Sequence, residues 1–129
     1  MQRSLVGSEM CIRDSNYMLP RMQDLDVEEA WVLMMNQNFK LIKAEPLSHG
    51  GITETAVDVR LIIKKALLNN ATIIALCHNH PSNNPTPSKQ DDQLTLNVKK
   101  ACDVMRLFFM DHIIVTDGHY YSYHDKGRL

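Results

Sequence analysis

The segment that decides the fold is "TIIALCHNHPSNNPTPSKQDDQLT", residues 72–95. Its first six residues are apolar with β-branched side chains near the start, as in a strand buried on both faces. Two histidines, His78 and His80, follow directly. Pro81, Pro85 and Pro87 stiffen the loop beyond them, and Ser88 stands where a helix N-cap belongs. With Ser88 as cap, Asp91 falls at the third helical position, the capping-box pattern, and Asp92 adds favourable charge to the first turn. Leu94, Val98, Ala101, Cys102 and Met105 then recur at helical spacing. The segment reads as strand, loop, helix.

Working outward, residues 57–70, "VDVRLIIKKALLNN", put Val59, Ile62, Ile63, Ala66 and Leu67 on one helical face, with Asn69 and Asn70 as a stop. "WVLMMNQ" (31–37) and "FKLIKAEPL" (39–47) are apolar runs joined by a polar turn and read as a hairpin. "HIIVTD" and "HYYSYHD" form a second hairpin around the Asp117-Gly118 turn. Residues 17–30 read as one or two short helices, with a turn at "DLDVEE", and "SHGGIT" as a glycine-paired loop. Strands alternate with helices, so the expected class is α/β, or α+β with helices on one mixed sheet.

The chain has 129 residues, 44% of them hydrophobic, enough for one domain with a core. Its net charge of −1, without a basic stripe, gives nothing that points to binding nucleic acid by phosphate neutralisation. Cys11, Cys77 and Cys102 lack pair spacing, which argues against a disulfide framework and for a reducing compartment. No apolar run approaches the ~20 residues of a membrane span. A soluble, cytoplasmic protein is expected. "LVGSEMCIRDS" (5–15) has no hydrophobic period and resembles a translated sequencing-library adapter. Residues 1–15 are therefore expected to be artefactual or disordered, and 16–129 to form the domain.

Two histidines at i and i+2 of an extended segment point the same way and could share one divalent ion, as zinc prefers. An H-x-H pair also occurs in ordinary solvated loops. Ser88 and Asp91 could simply start the helix. Alternatively, a helix N-terminus folded back on the histidines would offer Asp91 as a third, anionic ligand and leave the open position of a catalytic zinc site.

His78-x-His80, seven residues, Ser88, two residues and Asp91 match the H-x-H-x7-S-x2-D signature of the JAB/MPN (JAMM) metalloproteases. More narrowly, residues 67–95 together with "DHIIVTDGHYYS" (111–122) resemble the JAB domain of the RadC proteins, over about residues 24–129. The resemblance implies a single JAB/MPN-type domain, a mixed curved sheet flanked by helices. It also implies zinc held by His78, His80 and Asp91, and a water activated for attack on a peptide or isopeptide bond. An upstream glutamate would act as general base. Glu45, before the Gly50-Gly51 turn and beside Phe39, Leu41, Lys43 and Leu47 on an alternating face, is the favoured candidate, with Glu54 as its rival. Ser88 would donate to the developing oxyanion, a role that competes with helix capping for the same oxygen.

One departure is Asn83, where RadC proteins usually carry glycine; asparagine tolerates the left-handed backbone better than most residues. His49, His112, His119 and His124 are expected to be structural or exposed rather than ligands, and Asp111-His112 matches the family without an assigned role. The letters "HNH" do not make a nuclease, whose histidines are spread along a different fold. A zinc deaminase would need H-x-E and P-C-x-x-C, both absent. The competing reading is a catalytically weak DNA-repair-associated binding module, with DNA contacted only indirectly or through an upstream domain. A peptide or protein substrate is the expected partner.

Overall fold

A computed structural model describes residues 27–49 and 57–129. Its five strands form one mixed sheet in the order β2-β1-β3-β4-β5. They are β1 (Glu29–Met35), β2 (Leu41–His49), β3 (Ile73–Asn79), β4 (Phe108–Thr116) and β5 (His119–Ser122). Helix α1 (Val59–Leu68) precedes β3, and α2 (Lys89–Met105) links β3 to β4. Only β3 and β4 run parallel, and α2 is the crossover such a pair requires. All seven residues of β3 are buried because it lies between β1 and β4. This central position accounts for its unbroken apolar run.

Local chemistry sets the connections. In the β1–β2 turn Asn36 Oδ1 accepts from the backbone N–H groups of Asn38 (2.8 Å) and Lys40 (3.1 Å), an Asx-type turn. Gly118 adopts φ +77° in the β4–β5 turn, as expected from the Asp-Gly pair. Asp58 caps α1, Asn69 ends it, and Asn70 follows with φ 54°. Both helices pack on one side of the sheet, where Ile62, Ala66, Val98 and Cys102 meet Val32, Met34, Ile74 and Leu76. Leu33, Met35, Ala75, Cys77, Ile113 and Val115 form the cluster of the opposite face.

Three expectations need correction. Residues 29 and 30 are strand, not helix: Glu29 and Ala30 pair with His49 and Ser48 of β2. The alternation along 39–47 breaks, with Phe39 packing on one core cluster and Leu47 on the other. The cause is a register shift in the β1–β2 ladder between Met34 and Met35. In the helices, Leu67 and Met105 are 48% and 42% exposed and so contribute little to the core. The expectations for residues 1–15, for helix over 17–26, for the Gly50-Gly51 turn and for Glu54 fall outside the described residues.

Candidate metal centre

β3 ends at Asn79, so His78 is its penultimate residue and His80 the first beyond it. Their side chains turn the same way, as the strand period requires, and the Nε2 atoms lie 3.0 Å apart. The loop then returns to α2, whose N-terminus carries a full capping box. Ser88 Oγ accepts from the Asp91 N–H (3.1 Å), and Asp91 Oδ2 accepts from the Ser88 N–H (2.8 Å). The box fixes the Asp91 carboxylate against the histidines. Oδ1 lies 3.1 Å from His78 Nε2, and Oδ2 lies 3.1 Å from His80 Nε2. Capping and gathering are one geometry.

A fourth group completes the cluster. Glu28, one residue before β1, puts Oε2 3.9 Å from His78 Nε2 and 4.0 Å from His80 Nε2. The antiparallel pairing of β1 with β3, Ala30 opposite His78, brings it there. The four donor atoms lie within 4.8 Å of one another and could hold a metal ion. Three donors 2.0–2.1 Å from one tetrahedral zinc stand about 3.3 Å apart. The His78 and His80 nitrogens, 3.0 Å apart and each 3.1 Å from a different one of the two Asp91 oxygens, come near that figure. Glu28 is too distant from the nitrogens to join them as an equivalent ligand, and too distant for a direct hydrogen bond.

Glu45 is not among the residues that gather here. It faces Lys65 of α1, whose Nζ is 2.6 Å from Oε1, and Lys43 Nζ lies 3.2 Å from Oε2. Hydrogen bonds from Lys65 and Lys43 hold its carboxyl below the ordinary value. Its strand neighbours suggested a site residue, but the register directs it to a lysine pair. Glu28 went unnoticed in the sequence because nothing local distinguishes it from Glu29.

The electrostatics call for a positive charge among these acceptors. His80 Nδ1 lies 2.8 Å from the Asn84 carbonyl. A carbonyl can only accept, so Nδ1 carries the proton and Nε2 offers a lone pair to the cluster whenever the ring is neutral. Burial is the largest single influence on His80 and disfavours its charged form, but the Asp91 and Asn84 hydrogen bonds and the charges of Asp91 and Glu28 together outweigh it, and the pKa is raised. Burial pushes the Asp91 carboxyl up, whereas bonding to His78 and His80 carries it well below the usual carboxylate range. Metal or proton would serve that need.

A cavity of about 340 Å³ opens beside the cluster, with Glu28, His78, Ser88 and Asp91 on its polar side. Trp31, Leu47, Val57, Leu76 and Leu94 supply apolar wall. Asn83 takes the left-handed conformation, φ 68°, and its Oδ1 accepts from the Asp117 N–H at 2.8 Å, tying the loop to the β4–β5 turn. The asparagine thus adds a tether at the position where the resemblance implied a glycine. His112 is buried and makes ring hydrogen bonds, as expected for a structural histidine.

The family model for the RadC-like JAB domain matches residues 13–128. The chain belongs to this family. A UPF0758 protein of Porphyromonas gingivalis is 45% identical over 129 residues, covering 99% of this chain and 56% of the relative. A UPF0758 protein of Flavobacterium johnsoniae is 46% identical over 110 residues, covering 85% and 48% respectively. This RadC-like chain therefore spans about half the length of these curated relatives. The five-stranded mixed sheet with its two described helices is an α+β architecture consistent with a JAB/MPN domain. Among the described residues no helix of the RadC-like domain is long and apolar enough to cross a membrane.

Proposed function

We propose that the domain is a zinc-dependent hydrolase acting on peptide or isopeptide bonds, with His78, His80 and Asp91 as ligands. The observation that carries the reading is the convergence of two imidazole nitrogens and a carboxylate at 3.0–3.1 Å, with a second carboxylate standing off at about 4 Å. Three protein ligands with an open position are the layout of catalytic zinc. A zinc ion there would supply a Lewis acid and an activated water.

The general base in this reading is Glu28 instead of Glu45. Its Oε2 is nearly equidistant from the two histidines, which leaves room for a water between it and the cluster. From there it can take a proton from the attacking water and return it to the leaving amine. Ser88 can serve twice. Its oxygen lone pair accepts the Asp91 N–H, so its own proton remains free to donate to an oxyanion. Capping and donation are compatible.

The apolar wall of the cavity suits a substrate side chain, which favours a peptide or protein substrate. A cytoplasmic location and DNA contact only through other parts of a longer protein complete the proposal. The low net charge argues against strong DNA binding by this domain alone.

The test is zinc content of purified protein together with hydrolysis of a quenched-fluorescent peptide library. One zinc per chain, lost in His80→Ala with the fold retained, and cleavage abolished by chelation support the reading. Stoichiometric zinc retained by the His78→Ala/His80→Ala variant would refute the ligand set. Zinc binding without cleavage of any library member, joined by metal-independent DNA binding, would favour the binding module.

A further inference from the structure

We infer that His112 and Thr95 are positioning residues that set the proton of His78, so that its Nε2 lone pair faces the metal centre. This inference rests on the metal-site reading above. Unlike His80, His78 has a ring nitrogen as its second partner: its Nδ1 lies 2.8 Å from His112 Nε2. Two imidazoles so joined have two possible proton arrangements. In one, His78 donates from Nδ1 and keeps Nε2 free. In the other, His112 donates from Nε2, and a neutral His78 carries its proton on Nε2, where it blocks the metal.

The far end of the chain decides between them. His112 Nδ1 lies 2.6 Å from Thr95 Oγ1, and Thr95 Oγ1 donates to the Asp91 carbonyl at 2.8 Å. A carbonyl only accepts, so with the Thr95 hydroxyl proton given to it, the Thr95 oxygen offers His112 a lone pair. His112 must then carry its proton on Nδ1. Its Nε2 becomes an acceptor, His78 Nδ1 becomes the donor, and His78 Nε2 is left free. With Thr95 donating to the backbone carbonyl, every bond in the series takes one direction.

Burial protects this arrangement from competition by water. Thr95, His112 and His78 are 4%, 1% and 5% exposed. The His112 ring also stacks on Tyr123 at 5.0 Å and 9°, which holds its plane. The carbonyl concerned belongs to Asp91, so one residue gives its side chain to the cluster and its backbone to the series that orients His78. Partners of this kind behind a ligand histidine typically change metal affinity 10–100-fold when removed.

The test measures histidine protonation by nitrogen-15 NMR in metal-free protein at pH 8, and zinc affinity by chelator competition. The wild type should show His112 protonated on Nδ1, with scalar coupling across the bond from His78 Nδ1 to His112 Nε2. Thr95→Val keeps the shape but removes the acceptor. His112 should then move its proton to Nε2, and zinc affinity should fall about 10–100-fold. Thr95→Ser should restore both. Wild-type His112 protonated on Nε2 would overturn the inference whether or not the valine variant folds. So would a folded Thr95→Val variant with unchanged His112 protonation and affinity. Nδ1 protonation in a wild type that binds no zinc would uphold the proton arrangement while refuting the metal reading.

Discussion

Exchanging each of two glutamates for glutamine separates the two places a general base could sit. Glu28→Gln keeps the shape and the capacity for hydrogen bonding but cannot accept a proton. Its Oε2 stands 3.9–4.0 Å from the histidine nitrogens, beyond the spacing of the three closer donors, so zinc content should stay near one per chain. Loss of general-base catalysis should lower kcat/KM by about 10²–10⁴-fold. That corresponds to roughly 3–5 kcal/mol of transition-state stabilisation. Glu45→Gln should leave both quantities near wild type. Its cost falls on the pairs with Lys65 and Lys43, whose partly solvated side chains (19–57% exposed) limit the loss to roughly 1 kcal/mol. The linkage has a definite sign. A carboxyl held below its ordinary 4.5 stabilises the fold above that pH and loses the contribution as pH falls through its lowered native value. Glu45→Gln should therefore flatten the acid limb of urea-measured stability. The assays are kcat/KM on a cleaved library peptide, zinc by mass spectrometry, and urea titration between pH 3 and 7. Unchanged turnover in Glu28→Gln, or a 10²-fold drop confined to Glu45→Gln, would refute the assignment of the base.

The other expectations concern the scaffold. Ile62→Ala, at a fully buried position between α1 and the sheet, should cost about 2–5 kcal/mol by urea unfolding. Asn83→Ala should cost on the order of 1 kcal/mol in the same assay, because alanine neither favours φ 68° nor accepts the Asp117 N–H, and Asn83→Gly should recover the backbone part. Burial pushes the Cys102 thiol up to about 11, so peptide mapping after iodoacetamide at pH 8 should find it unlabelled in the native protein and labelled in urea.

What the sequence determined by itself was the content set by short-range geometry. The strand period places His78 and His80 side by side, and the capping box places Ser88 against Asp91, so three members of the cluster could be read from a single segment. The turns at Asn36–Asn38 and Asp117-Gly118 were legible for the same reason, since their side chains or backbone freedom make the bend locally. Only the tertiary structure decided which glutamate joins them. Glu28 arrives through the pairing of β1 with β3, whose residues are far apart in the chain, and no local pattern encodes that register. Glu45 had apolar neighbours that marked it out, but a shift in the β1–β2 ladder and a lysine on α1 claimed it. The Thr95–His112–His78 series was equally hidden. It joins a helix and two strands: the Thr95 bond to the Asp91 carbonyl is local to α2, four residues apart, but only folding brings His112 of β4 against that hydroxyl and His78 of β3 against His112.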